Sequence, residues 1–381
     1  MHPVLLATFG KLGCMSRLST VSGKQIQNII YGTAYKRWRT ARLLHEALAI
    51  GYRSIDTANW STFHLRFTLT LVKNSFEVYV GNALSETSIS REDLFVQSKF
   101  VSAPHHTPFA PPFPAYDGQN AEEACHLSFL RSLENLKTLY LDAFLINAPE
   151  ITPDSMVPLL KLLLRFKDEK KTRYTGVCNI ATVDTLAQLH KTVPGAIQIV
   201  QNPLHSPWDP EYKIPQYCRD HGIQYNTFNT LTGSDRIIKN NSLKSIGEEN
   251  GTTPQVAFLQ YCVQTGITPL VGARSQENLR SSLIVANGEG KQLPKEQMHK
   301  ISRLMAEQSI INRFRGAKLL ERRNREMKKK RGTQKMRSDQ AKYLQATYVQ
   351  REQDEQQVVE RAKARAEALA EKLRKDLQEN T

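Results

Sequence analysis

A chain of 381 residues with 40% hydrophobic and 8% aromatic side chains can build a sizeable core, with room for one large domain plus an extension or for two domains. No run approaches the roughly eighteen consecutive apolar residues of a membrane helix, so a transmembrane bundle is excluded and a soluble protein is expected. The formal charge of +15 is unevenly spread: residues 310–381 carry about +9 of it, so the basic character belongs largely to the tail. The cysteines, at positions 14, 125, 178, 218 and 262, show no paired spacing. That argues against a disulfide framework or a zinc site and fits a reducing, cytoplasmic setting. The first fifteen residues contain Lys11 and no acidic side chain, as mitochondrial presequences do, which makes mitochondrial import the second localisation to consider.

In chain order, residues 26–32 form an apolar run closed by glycine and read as the first strand. Residues 40–50 place Leu43, Leu44, Ala47 and Leu48 at helical spacing, and Gly51 ends that helix. Gly51-Tyr52-Arg53-Ser54-Ile55-Asp56-Thr57-Ala58 is a short second strand that delivers a carboxylate to its own C-terminal end. Residues 94–100 are the third strand, and the Pro-rich stretch 103–118 reads as a long surface loop. A helix over 122–139 is expected to bury Ala124, Leu127, Leu130, Leu133 and Leu136. Strands at 141–146, 174–177, 197–200, 223–228 and 267–271 alternate with helices at 154–167, 182–189, 212–220, 253–264 and 277–285. Residues 295–308 read as a covering helix.

Eight strand–helix units over this length predict a (β/α)8 TIM barrel with a helical C-terminal extension. A doubly wound open sheet is disfavoured by the even spacing and by the lack of a Gly-rich fingerprint after the first strand. In such barrels the chemistry sits where strands end. The terminal polar residues are Asp56, Lys99, Asn147, Asn179 and Gln201, followed by Phe228. Five successive strands ending in hydrogen-bonding side chains are hard to explain by packing alone.

Those strand ends lie in stretches that resemble the aldo-keto reductase family from about residue 18 to about residue 285. The matching stretches are Tyr31-Gly32-Thr33-Ala34, the segment around Asp56, Phe95-Val96-Gln97-Ser98-Lys99-Phe100, Leu141-Asp142-Ala143-Phe144-Leu145-Ile146, Gly176-Val177-Cys178-Asn179 and Val200-Gln201-Asn202. The resemblance implies hydride delivery from NADP or NAD, with NADP favoured, to a small carbonyl substrate, an aldehyde or ketone. It also implies a tyrosine proton donor whose pKa is lowered by a lysine that an aspartate holds, beside a histidine that orients the carbonyl. By position Asp56 matches the aspartate and Lys99 the lysine. Asn147 stands where the histidine is expected; an amide can donate a hydrogen bond but carries no charge. No tyrosine matches the proton donor, and Tyr79 does not occupy its position.

The same resemblance places Cys178, Asn179 and Gln201 around the nicotinamide carboxamide, with Cys178 where serine is usual, and Phe228 where a ring stacks. Gly272 replaces a lysine often set against the 2′-phosphate of NADP. Arg274 and Asn278 are the candidates for cofactor contact there, with a solvated loop charge as the alternative for Arg274.

Two regions depart from the family. Between Asp56 and Val80, residues 61–76 form an anomalous insertion in which Phe63, Leu65, Phe67, Leu69 and Leu71 alternate with polar side chains. His64 within it is a candidate substitute acid, although a lone histidine in an inserted strand is more often exposed. The loop carrying His105, His106 and Tyr116 is a candidate roof for a substrate pocket. The organisation expected is an N-terminal extension over 1–17, a barrel over 18–309 and a basic helical tail over 310–381. Residues 312–342, centred on Lys328-Lys329-Lys330-Arg331, are a candidate contact for nucleic acid or an anionic surface; a solvated arm is the alternative. Val359, Ala362, Ala366, Leu369 and Leu373 span about two heptads, short for a coiled coil. Two functions remain open: a reductase with an incomplete catalytic set, or a catalytically impaired barrel that acts as a scaffold through its tail.

Overall fold

The computed structural model describes residues 18–59, 76–101, 121–147, 152–206, 209, 211–314, 318 and 321. The chain divides into a unit over residues 1–315 and a second over 316–381, and every strand among the described residues belongs to the first. The insertion at 61–76 apart from Phe76, the loop with His105, His106 and Tyr116, and the tail beyond residue 321 lie outside the described residues, as does His64.

Eight strands, β1 (Ile30–Gly32), β2 (Ser54–Asp56), β3 (Phe95–Val101), β4 (Leu141–Asn147), β5 (Thr172–Cys178), β6 (Ile199–Pro203), β7 (Gln224–Phe228) and β8 (Ile267–Val271), run parallel and close into a barrel in sequence order. Closure is made by β1 against β8, with Ile30 opposite Leu270 and Tyr31 opposite Val271. The helices are α1 (Thr40–Ile50), α2 (Glu77–Glu86), α3 (Ala121–Asn135), α4 (Pro153–Asp168), α5 (Val183–Thr192), α6 (Lys213–Asp220), α7 (Asp235–Ile238), α8 (Asn241–Glu249), α9 (Pro254–Gln264), α10 (Gln276–Ala286) and α11, residues 295–314. The predicted TIM barrel is therefore the observed fold. Local chemistry starts several helices where it should: Thr152, Thr182, Thr253 and Ser275 each cap the helix after them with a side-chain oxygen.

Strand periodicity sorts side chains between lumen and helix layer. In β3, Phe95 lies in a small inner cluster with Leu18, Ile26, Ala143, Leu145 and Ile199, while Val96 and Phe100 join the large outer core. Leu18 and Ile26 come from a turn that folds back on itself, with Ser19 bridged to Gln25, and they plug the N-terminal end of the lumen. Ile26 thus belongs to that plug, and the first strand starts only at Ile30, later than its apolar run suggests. On the outside, Phe129 of α3 stacks on Phe166 of α4 at 4.1 Å and meets Phe144 of β4 edge-on at 4.9 Å.

The buried face of α3 differs from the expectation. Ala124, Cys125, Ser128, Phe129 and Ser132 are buried, Leu133 packs on the core and Leu136 just past the helix is fully buried as expected, whereas Leu127 and Leu130 are 38% and 41% exposed. Residues spaced strictly by three drift about 60° around the helix at each step, so a row of them leaves the core face after one or two turns. Gly176 of β5 permits a close approach: a Cβ there would lie 1.9 Å from the Ile199 carbonyl oxygen of β6. No helix among the described residues is long and apolar enough to cross a membrane.

Candidate active site

At the C-terminal mouth, β2 and β3 set two charges against each other. Asp56 ends β2 with its carbonyl held by the Thr33 amide at 3.0 Å and the Thr33 hydroxyl at 2.9 Å. Lys99 lies two residues beyond Gln97 on the lumen face of β3. Its Nζ donates to Asp56 Oδ1 at 2.6 Å and to the Thr57 carbonyl at 2.7 Å. Both side chains are buried, Lys99 being 4% exposed and Asp56 6%. An ammonium has three N–H donors, so one donor of Lys99 is left over.

Beneath the pair runs a polar layer that the strand-end rule does not single out. Gln97 Nε2 donates to Asp56 Oδ1 and across the lumen to Gln201 Oε1, both at 2.5 Å. Asn226 Nδ2 donates to Gln97 Oε1 at 3.4 Å. The sequence does carry a signal for it, because Gln97 and Asn226 each lie two residues before a proposed site residue on the same strand face. Behind β3, Ser98 on the opposite face donates to Glu77, the first residue of α2, which also accepts from Ser132 and Asn135. Burial pushes the Glu77 carboxyl above its ordinary value, while those donors and the Lys99 charge pull it back.

The other strand ends converge on the same mouth. Asn147 Oδ1 at the end of β4 accepts from Asn179 Nδ2 at 2.7 Å, so its amide nitrogen is the end left to donate. Asn179 follows β5 with φ of 62°, a left-handed conformation that asparagine tolerates, and its backbone amide bonds the Gln201 carbonyl at 2.9 Å. Burial pushes the Cys178 thiol up to about 12, with Lys99 opposing, so it stays protonated and unreactive. Asn202 grips both backbone groups of Ile180, at 3.0 and 2.8 Å, and fixes the loop after β5. Phe228 ends β7 half-buried.

Arg274 and Asn278 stand apart from this cluster. Both are exposed; Arg274 follows β8 and donates to the Tyr35 carbonyl at 3.1 Å, while Asn278 lies in the first turn of α10. Among the described residues no tyrosine hydroxyl bonds Lys99, and Tyr79 stacks on Phe76 within the start of α2 instead. No group of three or more His, Cys, Asp or Glu among them could hold a metal ion.

Residues 28–306 match the model of the aldo/keto reductase family. The chain belongs to that family. Its relatives include methylglyoxal reductase DkgB of Yersinia pestis, 27% identical over 241 residues that cover 63% of this chain and 79% of the relative. The glyoxal reductase of Bacillus subtilis is 26% identical over 266 residues, 69% of this chain and 83% of that protein. Among solved structures, an aldo-keto reductase from a Medee basin deep-sea metagenome superposes with a TM-score of 0.60 at 20% identity, covering 75% of this chain and 93% of that one. The aldose reductase of Giardia lamblia gives 0.57 at 19% identity over 74% and 92% of the two chains. At these identities the structural likeness speaks to the fold. Aldo/keto reductases generally use NAD(P)H.

Proposed function

We propose that this aldo/keto reductase binds NAD(P)H, with NADP favoured, and a small carbonyl compound at the mouth, but transfers a proton poorly. The observation that carries this reading is the buried Asp56–Lys99 pair at 2.6 Å, which leaves one ammonium donor and, among the described residues, has no tyrosine hydroxyl on it. The donors present suit a nicotinamide. The Asn147 amide nitrogen, the free amide of Gln201 and Asn179 Oδ1 offer polar partners for a carboxamide or carbonyl, and Phe228 offers a ring face. A reduced nicotinamide supplies a hydride when bound there.

The work of this chain's own residues is to orient and to handle the proton. Asp56 holds the Lys99 ammonium in the lumen, and Gln97 fixes Asp56 from below, so the positive charge has a defined position. That charge stabilises the oxyanion that develops as a carbonyl is reduced. Asn147 donates to the same oxygen without adding charge, where the family pattern implies a histidine. Proton delivery is the weak part, since losing a general acid costs about 10² to 10⁴-fold. The relatives named for methylglyoxal and glyoxal reduction favour small, activated aldehydes as first substrates to try.

The test has two stages. Quenching of protein fluorescence by NADPH measures cofactor binding, and NADPH oxidation with methylglyoxal or 4-nitrobenzaldehyde measures turnover. Saturable binding with turnover far below that of a complete reductase is the expected result. A second reading, a binding or scaffold barrel acting through the basic stretch 312–342, is favoured by the charge of that stretch. It predicts salt-sensitive retention of nucleic acid or anionic vesicles that a chain cut at residue 309 loses.

A further inference from the structure

The mouth holds a second buried lysine that the site above does not use. Lys36 is 4% exposed, as buried as Lys99. Its Nζ donates to the Gly32 carbonyl at the end of β1 and lies 4.8 Å from the centre of the Tyr31 ring. Among the described residues no carboxylate lies within ion-pair distance of it, whereas Lys99 has Asp56 at 2.6 Å. Lys36 instead feels a like charge, the Arg274 guanidinium, which is tied to the carbonyl of the preceding residue, Tyr35. Burial first and Arg274 second push the Lys36 ammonium down to about 8, with Asp56 opposing, so it remains a cation at neutral pH.

Two cations gathered with no carboxylate at ion-pair distance of Lys36 among the described residues, one of the two buried, cost stability unless an anion completes the set. The way in is visible. Gly272, the first residue after β8, is exposed, and a Cβ on it would stand 2.9 Å from Lys36 Nζ and 3.3 Å from the Gly32 oxygen. Its backbone is not left-handed, so glycine is not needed there for conformation. What it provides is an opening onto the ammonium.

We propose that Lys36, reached through the notch at Gly272 and flanked by Arg274, grips a phosphate group of the bound dinucleotide. The assignment rests on the cofactor-binding reading above and adds a residue to it. Phosphate suits the site: an ammonium with two uncommitted donors and a nearby guanidinium supply charge-assisted hydrogen bonds to a compact dianion or diester. The alternative, a lysine that merely latches the loop after β1 to the Gly32 carbonyl, makes the opposite prediction for stability.

The test is calorimetric titration of the full chain and of Lys36→Met with NADPH, NADH, 2′,5′-ADP and 5′-ADP, with the melting temperature of each protein measured alongside. Lys36→Met is expected to weaken NADPH by about ten- to a hundredfold while raising the melting temperature. Weakening confined to NADPH and 2′,5′-ADP assigns the grip to the 2′-phosphate; equal weakening of all four assigns it to the phosphates common to them. Gly272→Ala, whose Cβ would displace the flexible end of Lys36 and press on the Gly32 carbonyl by only a few tenths of an ångström, is expected to weaken the same ligands without unfolding the barrel. Unchanged affinity in Lys36→Met, or weakened affinity accompanied by a lower melting temperature, overturns the assignment. If the unaltered chain binds neither dinucleotide, the cofactor-binding reading falls with it; if both proteins bind equally, only the role of Lys36 falls.

Discussion

The two ends of the barrel each place cations beside a buried carboxylate, and they differ in how completely the cations are used. At the N-terminal end, Asp142 is fully buried, with Arg91 at 2.7 Å, Arg173 at 3.6 Å and the Val96 amide at 3.0 Å. Arg91 also donates to Thr138, to the Leu94 carbonyl and to the Tyr140 carbonyl, each at 3.0 Å, and stacks on the Tyr140 ring. Every nitrogen of that guanidinium donates a hydrogen bond. At the C-terminal mouth, Lys99 uses two of its three donors and Lys36 one. A saturated cation ties structure together, and an unsaturated buried one keeps binding capacity for something that arrives later. The same barrel thus has a closed floor and an open mouth.

The contrast can be broken most severely at the floor. Burial already pushes the Asp142 carboxyl above its ordinary value in spite of Arg91, so the pair is not a large net gain. Removing one partner is still costly: Arg91→Ala is expected to lose about 3–5 kcal/mol in a denaturant melt, because a buried carboxylate is left short of its partner. The double variant Arg91→Leu with Asp142→Leu is expected to lose less than the two single changes added together, as a double-mutant cycle would measure.

At the mouth the sign reverses. The Lys36 value of about 8 in the folded chain lies below the ordinary 10.5. Between those limits the unfolded chain holds a proton that the folded chain lacks, so the stability of the unaltered protein climbs as pH rises from 8 to 10.5. Lys36→Met removes that dependence. It is expected to be more stable by at most about 3 kcal/mol below pH 8, with the advantage gone above pH 10.5. A stabilising change at one end and a destabilising one at the other would sharpen the contrast; losses at both would erase it.

The smallest effect is expected at Gln97. Replacing it by leucine leaves Gln201 Oε1 and Asn226 Nδ2 without their partner and unlinks Asp56 from the layer below. A cost of about 1–3 kcal/mol is expected from thermal melts. Cofactor affinity is expected to fall only modestly, since Gln201 loses its anchor while the Asp56–Lys99 bond itself is retained.

Much of this arrangement is legible in the chain. The regular alternation of strands and helices announces the barrel, and the gathering of barrel chemistry at strand ends picks out Asp56, Lys99, Asn147, Asn179 and Gln201. Periodicity reaches one layer deeper, because Gln97 and Asn226 lie on the same strand faces as Lys99 and Phe228. What periodicity does not reach is burial decided by distant contacts. Lys36 lies in Tyr35-Lys36-Arg37-Trp38-Arg39, a basic run without strand or helix periodicity, and only the fold, which leaves it 4% exposed against the Gly32 carbonyl, shows that its ammonium is enclosed. α2 and α8 escape the sequence pattern for related reasons. The first begins at the edge of the insertion with the buried Glu77, and the second is short, with Leu243, Ile246 and Gly247 on its buried side. Arg274 and Asn278 are suggested by resemblance alone, and their exposure on the rim separates them from the polar cluster around Lys99.

The proposed binding of a nicotinamide dinucleotide at a mouth where, among the described residues, Lys99 has no tyrosine hydroxyl on it is tested most directly by single-turnover oxidation of pre-bound NADPH with saturating 4-nitrobenzaldehyde. Binding and release are then removed from the rate. Saturable NADPH binding followed by very slow oxidation, slowed further by Lys99→Met, is the predicted result. Fast oxidation left unchanged by Lys99→Met would contradict it.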